Sequence, residues 1–321
     1  MASLEAAAAP SSADGPPPTK LLIRSRDGIQ LMHGPRGDKG LDDAAAMATV
    51  GADSSVAPQG NFCEFSPDGS RLARTGGSVA GVEIVPTDNA EGGAAAAAAV
   101  TISGVASGRV QKLAWSPQGT YLVTWQKFDT AANFPNVPAA LLNAVPGTFD
   151  EPGSSEAAAA EGEPRKPKIG NLRVWEASTG ALVDAFSMKK MSSMTWPALQ
   201  WTADESWCLR MVTNEVLVYR GGGGTNRGQP GIEGGFLDKI RLPNVASFSV
   251  SPSPALPVKV AMFVPESGKP ANVQIFAFPG AKDRPPVAAK SFFNAQEIAM
   301  DWSPNGEAVL VKTHTDVDGK R

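Results

Sequence analysis

The sequence Trp115-Ser116-Pro117-Gln118-Gly119 lies between two strand-like runs, Val110 to Trp115 and Thr120 to Trp125. Proline at the second turn position sets φ for a type I turn, the preceding serine can bond the backbone ahead, and glycine at the fourth turn position tolerates positive φ. Strand-like runs on both sides of such a turn predict a β-hairpin. The stretch therefore indicates two antiparallel strands joined by a tight polar turn.

This pattern, an apolar or aromatic residue followed by a polar turn, occurs five times along the chain. The copies are Phe65-Ser66-Pro67-Asp68-Gly69, Trp115-Ser116-Pro117-Gln118-Gly119, Trp201-Thr202-Ala203-Asp204-Glu205, Val250-Ser251-Pro252 and Trp302-Ser303-Pro304-Asn305-Gly306. Successive copies are separated by roughly 50 residues, except for one longer step that contains a low-complexity stretch of about the excess length. Repeats of ~40–50 residues built from short strands are typical of a β-propeller. We therefore predict an all-β, WD-repeat-like propeller with about five blades present.

The outer half of the predicted four-stranded blade also recurs. Leu172 to Trp175 leads on to Leu182 through Phe186, and Val216 to Tyr219 and Val273 to Phe276 hold the same place in the next two copies. The pair Trp175-Glu176 stands where WD repeats often carry Trp-Asp. The sequence thus predicts four strands per repeat, with an eroded WD signature.

Composition predicts one propeller domain with a tail and several insertions. Residues 1–19 are predicted to be a disordered Ala/Pro/Ser-rich tail, and residues 20–321 an incomplete β-propeller. Low-complexity insertions are predicted near residues 34–60, 90–99, 129–168 and 221–235.

The two ends of the repeat series leave the closure of the ring open. A hairpin from Leu21 to Arg24 and Ile29 to Met32 precedes the first full repeat, and the last repeat stops after its inner hairpin. The first hairpin could supply the missing outer strands and close a five-bladed ring. Alternatively, the chain is a partial arc of a larger propeller.

Bulk properties predict a cytoplasmic protein without a membrane segment. The net charge is −3, and the segment from Gly147 to Pro164 holds five acidic residues and no basic one, so the rest of the chain is slightly basic. A slightly basic propeller is compatible with a ribonucleoprotein surface. No apolar run approaches the ~20 residues that span a bilayer. Residues 1–19 lack a signal peptide, and the two cysteines, Cys63 and Cys208, suit a reducing cytosol as buried thiols.

Patterns for catalysis, metal binding and cofactor binding are missing from the sequence. The two histidines, His33 and His314, are not paired with a nucleophile or a ligand cluster, and the common hydrolase, zinc and phosphate-loop motifs do not occur. The sequence therefore predicts a non-enzymatic protein with no catalytic residues, no metal ligands and no cofactor.

The most distinctive local segment runs from Met188 to Trp196 and links the outer strand of one repeat to the inner strand of the next, which places it on a propeller face. Its lysines could contact phosphate, whereas a blade connection whose methionines fill a gap is the alternative. Further basic residues near strand ends could join this contact or be ordinary solvated charges. The candidate ribosome or RNA contacts are Lys189, Lys190, Arg24, Arg26, Lys239, Arg241 and Lys290.

Several stretches resemble the N-terminal propeller of the eukaryotic translation initiation factor 2A family. They include Leu122-Val123-Thr124-Trp125-Gln126, Asn171-Leu172-Arg173-Val174-Trp175, Lys189-Lys190-Met191, Lys290-Ser291-Phe292-Phe293 and Thr315-Asp316-Val317-Asp318, in family order from about Lys20 onward. The resemblance implies a nine-bladed propeller that engages the small ribosomal subunit and helps to deliver initiator methionyl-tRNA without a GTPase step of its own. The sequence stops roughly halfway round that propeller, before the segments to which the family's tRNA, messenger and partner-factor contacts are attributed. Ribosome association is thus the function that this chain is expected to keep.

Two other classes of protein compete with this hypothesis. The first is a generic WD-repeat scaffold, or the related propeller of initiation factor 3, which is expected to carry an RNA-recognition motif before the propeller. The second is a propeller enzyme, which needs paired carboxylates around a central tunnel. Asp301 beside Trp302 is one of the few strand acids available for that role.

Overall fold

The structure is a computed structural model that describes residues 20–25, 28–33, 48–50, 62–75, 81–87, 99–102, 110–128, 170–224, 228, 230–280 and 285–314. The predicted tail at residues 1–19 lies outside these ranges, as does nearly all of the predicted insertions near 34–60, 90–99 and 129–168. The described chain is built from strands, with short 3-10 turns at Ser193–Thr195 and Ile232–Gly234. Within it, no helix has the length and apolar character that crossing a membrane requires.

In the described ranges, 21 strands form six antiparallel sheets. The N-terminal sheet contains β1 (Lys20–Ser25), β2 (Gly28–His33) and β3 (Ala48–Val50). Sheet 1 contains β4 (Cys63–Phe65), β5 (Arg71–Thr75), β6 (Val82–Pro86) and β7 (Val100–Ile102). Sheet 2 contains β8 (Val110–Trp115), β9 (Tyr121–Gln126), β10 (Leu172–Glu176) and β11 (Leu182–Phe186).

The remaining strands continue the same plan. Sheet 3 contains β12 (Leu199–Trp201), β13 (Trp207–Val212), β14 (Glu215–Arg220) and β15 (Phe236–Arg241). Sheet 4 contains β16 (Ser247–Val250), β17 (Val258–Val264), β18 (Ala271–Phe278) and β19 (Ala288–Phe292). Sheet 5 contains β20 (Glu297–Trp302) and β21 (Val309–His314). Each four-stranded sheet is a meander in chain order, which confirms the predicted blades.

The predicted turns join the first and second strands of their sheets, and they use the predicted chemistry. In the first turn the Gly69 N–H donates to the Ser66 carbonyl at 2.8 Å, and Gly69 has φ +70°. The Ser66 hydroxyl oxygen accepts the Arg71 N–H at 2.9 Å. The same hydroxyl-to-backbone bond recurs in three more turns, at Ser116, Thr202 and Ser303. A type I turn followed by a residue in the left-handed region closes each of these hairpins.

The third turn departs from the pattern because Glu205 occupies the position that glycine takes in three other turns, with φ +57°. Its side chain is buried, and its Oε1 accepts the backbone N–H of Gln118 in the preceding turn at 2.8 Å. Gly221 packs so closely on the Glu205 carbonyl that a Cβ atom would collide with it. The start of the predicted 221–235 insertion therefore needs glycine for close packing against this turn.

The turns of successive sheets are hydrogen-bonded to one another, so they share one end of the molecule, here named the turn face. Arg71 Nη2 donates to the Gly119 carbonyl at 2.7 Å, and the Ala203 N–H donates to the Pro252 carbonyl at 2.9 Å. Lys259 Nζ reaches the Gly306 carbonyl at 3.4 Å. The segments that lead from one sheet to the next leave from the opposite end, here named the connection face.

The hydrophobic core lies between consecutive sheets. In β9, Leu122 belongs to the cluster shared with sheet 1, whereas its neighbour Val123 belongs to the cluster shared with sheet 3. Both faces of the strand are thus buried, as side chains alternate between the two sides of a sheet. Trp125, Trp175 and Trp201 are buried in these two clusters.

The tryptophans Trp115 and Trp302 are only partly buried, and they link the first strands of adjacent sheets. Trp115 Nε1 donates to the Glu64 carbonyl at 3.0 Å, and Trp302 Nε1 donates to the Ser249 carbonyl at 3.2 Å. The equivalent bonds show that sheets 1 and 2 and sheets 4 and 5 are joined in the same way, as repeated blades of a propeller are.

The N-terminal hairpin is confirmed, with Lys20 opposite His33 and Arg24 opposite Ile29. Its third strand, β3, lies within the segment interpreted as a connection. In the described strands, β1 to β3 pair only with one another, and β20 pairs only with β21. The first hairpin therefore does not supply outer strands to sheet 5 in this structure.

Replacing Thr124 by valine is expected to lower the free energy of unfolding by about 1–3 kcal/mol, because the buried Trp175 Nε1 donates to the Thr124 hydroxyl at 2.9 Å and would lose its acceptor. Urea unfolding measures the change. In a Trp175→Phe background the same substitution should cost markedly less, since no donor remains. Equal costs in both backgrounds would show that the hydrogen bond is not the cause.

Protonation of Asp68 at low pH should lower the free energy of unfolding. Hydrogen bonds from Ser66 and Ser70 lower the pKa of Asp68 from 3.8 to about 2. This stabilisation is fully present above pH 3.8 and is lost as the pH falls through about 2. Asp68→Asn, which copies Asn305 of the fifth turn, should therefore be less stable than the parent at pH 6 and approach it near the folded-state pKa of about 2. Urea midpoints at the two pH values test this, and a difference that stays constant would contradict it.

Candidate functional site

The segment Met188 to Trp196 crosses from β11 to β12 on the connection face, as the sequence predicts. Its start is held by Asn171, which is fully buried at the beginning of β10. Asn171 Nδ2 donates to the Met188 carbonyl at 2.8 Å, and its Oδ1 accepts the Met188 N–H at 2.8 Å. Trp125 Nε1 donates to the same carbonyl at 3.2 Å. The connecting segment is therefore fixed to sheet 2 at its first residue.

The far end of the segment is fixed to sheet 4. The turn Ser193–Thr195 has a capping box in which the Ser192 N–H donates to the Thr195 hydroxyl at 2.9 Å. The Met194 carbonyl accepts the Ser247 hydroxyl at 2.9 Å. Met188 and Met191 pack against the core cluster between sheets 2 and 3. A connection held at both ends presents its remaining side chains in a defined place.

The side chains that this segment presents to solvent include Lys189 and Lys190, both exposed. The Lys189 ammonium lies 5.9 Å from the centroid of the Phe128 ring, within the range of a cation–π contact. Phe128 follows β9 at the same end of sheet 2. Two adjacent positive charges therefore stand on the connection face.

A second pair of predicted cations converges on one buried carboxylate. Lys239 Nζ lies 3.2 Å and Arg241 Nη2 lies 2.9 Å from Glu215 Oε1. Glu215 opens β14 and the cations close β15, so the cluster lies at the connection end of sheet 3. Arg241 keeps 68% of its side chain exposed, whereas Lys239 keeps 24%. One carboxylate against two cations leaves a single formal positive charge, less than the sequence suggests.

The remaining predicted contacts are Lys290, Arg24 and Arg26. Lys290 is exposed on β19, the outer strand of sheet 4. Arg24 lies in β1, and Arg26 falls outside the described residues.

A cavity of about 540 Å³ opens on the connection face beside the start of β8. Its lining residues come from sheets 1 and 2 and from the connecting segment: Phe62, Val110, Gln111, Lys112, Trp125, Met191, Ser192 and Ser193. The β8–β9 ladder shifts register between Val110 and Lys112, which is a β-bulge. Sequence analysis missed Lys112 because a bulge of this kind has no reliable sequence signal.

Acidic and thiol groups of the described residues do not form a reactive cluster. Asp301, considered above for a propeller enzyme, is exposed and lies 3.5 Å from Lys312 Nζ. Neither cysteine forms a disulfide bond; Cys208 is buried as predicted, whereas Cys63 is only partly buried. Burial raises the pKa of the Cys208 thiol well above 9.0, so this thiol is protonated at neutral pH. The described residues contain no group of three or more His, Cys, Asp or Glu side chains arranged to hold a metal ion.

Comparison with known proteins confirms the resemblance stated above. The family model described as "Eukaryotic translation initiation factor eIF2A" matches residues 290–321. Eukaryotic translation initiation factor 2A of Schizosaccharomyces pombe is 30% identical over 262 residues, which cover 81% of this chain and 35% of the relative. The B subunit of eukaryotic translation initiation factor 3 of Xenopus laevis is 26% identical over 211 residues, covering 62% of this chain and 27% of the relative.

A solved structure described as "Crystal structure of the eukaryotic initiation factor" superposes with a TM-score of 0.58 and 24% identity. The superposition covers 94% of this chain and 58% of that chain, and it supports the propeller fold. The chain thus resembles eukaryotic translation initiation factor 2A over most of its length, and it spans 35% and 27% of the lengths of these two curated relatives.

Glu215→Gln is expected to strengthen binding of the chain to a polyanion, because Lys239 and Arg241 would lose the carboxylate that neutralises one of them. With poly(U) RNA, which is single-stranded, the slope of log K against log salt should steepen by about 0.7 unit for each added phosphate contact. Filter binding across a salt series measures it, with circular dichroism to verify folding.

Asp301→Asn is the matched control, since it makes the same charge change beside Lys312 in sheet 5. Equal slopes for parent and Glu215→Gln, or the same increase in both variants, would show that the Glu215 cluster does not contact the polyanion.

Proposed function

We propose that this chain is the propeller of a translation initiation factor and that its connection face docks on the small ribosomal subunit. The proposal rests on the resemblance to translation initiation factor 2A and on the similarity of the relatives. Binding would place the chain in the cytoplasm and involve ribosomal RNA, ribosomal proteins or both. In this role the chain acts by docking and catalyses no reaction.

The observation that carries the proposal is the exposure of Lys189 and Lys190 on a segment fixed at both ends. Asn171 holds its first residue and Ser247 contacts Met194 near its other end. Side chains on a fixed segment lose less conformational entropy when they bind than those on a loose loop. Lysine ammonium groups contribute salt-dependent affinity when they meet phosphate. The segment therefore suits recognition of a phosphate backbone.

Delivery of initiator methionyl-tRNA without GTP is the further activity that the resemblance implies. In this proposal the propeller supplies the docking surface on the ribosome, and tRNA and messenger contacts belong to segments of the family beyond the propeller. The alternative function is a generic WD-repeat scaffold for protein partners. Because the chain is similar to a subunit of initiation factor 3, the protein partners of such a scaffold would also belong to the translation machinery.

Charge reversal at the connecting segment tests the proposal. The double variant Lys189→Glu/Lys190→Glu should weaken association with purified small ribosomal subunits by about tenfold or more at ~0.1 M salt, because two attractive contacts become repulsive. Co-sedimentation over a range of ribosome concentrations measures the affinity.

Two controls make the result specific. Lys189→Arg/Lys190→Arg keeps both charges and should bind within about twofold of the parent. Thr120→Glu/Asn305→Asp adds two negative charges at exposed positions of the turn face and should have little effect. No association of the parent chain at low salt, or unchanged binding by the double variant, would refute the proposed surface.

A further inference from the structure

The cavity beside the start of β8 has the features of a peptide-binding site. We propose that it binds a short segment of a protein partner, with one bulky apolar side chain inside the cavity and a neighbouring acidic side chain at Lys112. This inference deepens the proposed function and rests on it, since such a partner would be a protein of the translation machinery.

The floor of the cavity is apolar and is assembled from four separate parts of the chain. Phe62 precedes β4, Val110 opens β8, Trp125 lies near the end of β9 and Met191 belongs to the connecting segment. Trp125 is held in place because its indole N–H donates to the Met188 carbonyl at 3.2 Å. A volume of about 540 Å³ lies in the range of ligand cavities and exceeds that of a single phenylalanine or leucine side chain. An apolar anchor residue therefore fits a preformed floor.

The rim of the cavity is polar, and part of it comes from the β-bulge at the start of β8. Val110, Gln111 and Lys112 all line the cavity, although neighbours in a regular strand would point to opposite faces. Gln111 contributes an amide, and Ser192 and Ser193 contribute hydroxyl groups. Amide and hydroxyl groups both donate and accept hydrogen bonds, as the main chain of a bound peptide requires.

The charge of the site favours an acidic segment. Lys112 is the one charged residue among the lining residues, and Lys189 and Lys190 lie immediately before Met191. Glu64 stands near Lys112: burial raises the pKa of this carboxyl, and the lysine charge opposes that rise. Lys112, Lys189 and Lys190 outnumber this one carboxylate, so complementarity calls for a carboxylate beside the anchor.

The same features fit a nucleotide less well. Stacking of a base requires an open aromatic face, whereas Trp125 is only 7% exposed and its N–H is already bonded. Binding of a nucleic-acid backbone draws on several cations, whereas the cavity itself offers one. The chemistry therefore favours a peptide with an apolar and an acidic residue side by side.

Fluorescence anisotropy with labelled synthetic peptides tests the inference. The probe is fluorescein-Gly-Ser-Phe-Asp-Glu-Ser-Gly, and the two comparison peptides replace Phe by Ala or Asp-Glu by Lys-Lys. We expect saturable binding of the probe and at least tenfold weaker binding of both comparison peptides.

Protein variants assign the binding to the cavity. Ser193→Trp should fill the cavity and weaken the probe at least tenfold, and Lys112→Glu should do the same by charge repulsion. Lys112→Glu should in turn bind the Phe-Lys-Lys peptide more tightly than the parent does, which a merely misfolded variant would not. Lys269→Glu makes the same charge change outside the cavity and should leave probe binding unchanged.

Three results would overturn the inference. The first is no saturable binding of the probe, and the second is probe binding that Ser193→Trp does not change. The third is displacement of the probe by oligouridylate, which would show that the cavity binds RNA, in a chain that still associates with ribosomes. Because the assay contains no ribosomes, its failure is distinct from failure of the proposed function. If the Ser193→Trp variant still sediments with small ribosomal subunits, then Lys189 and Lys190 bind the ribosome without a peptide in the cavity.

Discussion

Packing of each sheet between its two neighbours is the interaction on which the rest of the structure depends. Strand β9 has Leu122 in one interface and Val123 in the next, so almost every residue of the strand is buried. Removal of apolar surface from water on both faces is the main favourable contribution to such a stack. The faces of the sheets are thereby used for stability. Binding groups are left to the strand ends and to the segments that connect the strands.

The two ends of the sheets are used differently. On the turn face the five turns resemble one another and are bonded to their neighbours, as Arg71 with Gly119 and Glu205 with Gln118 show. These bonds consume polar groups that would otherwise be available to a partner. The connection face carries irregular segments of different length, exposed lysines and a cavity. The irregular segments and exposed charges make the connection face the better candidate for binding a partner. The meander topology of each sheet places these segments at that end.

Buried polar residues determine the geometry of the connection face. Asn171 satisfies three backbone groups, two of Met188 and one of Gln126, and so fixes where Lys189 and Lys190 begin. Glu215 gathers Lys239 and Arg241 and reduces the charge that they present. A buried amide or carboxylate is costly unless it is fully bonded, so these residues specify one arrangement of the surface around them. The surface charge of the protein is therefore set partly from the interior.

The sequence alone determined the repeated hairpins of this protein, because a serine, proline and glycine at fixed positions act through local backbone geometry. It also determined the position of the connecting segment and the resemblance to translation initiation factor 2A. Tertiary structure alone decided that Glu215 neutralises part of the predicted basic surface, since residues of β14 and β15 meet only when the sheet forms. The cavity at Lys112 likewise depends on a bulge and on residues from distant parts of the chain. Contacts between sheets arise from packing across long sequence separations, which a repeat pattern does not encode.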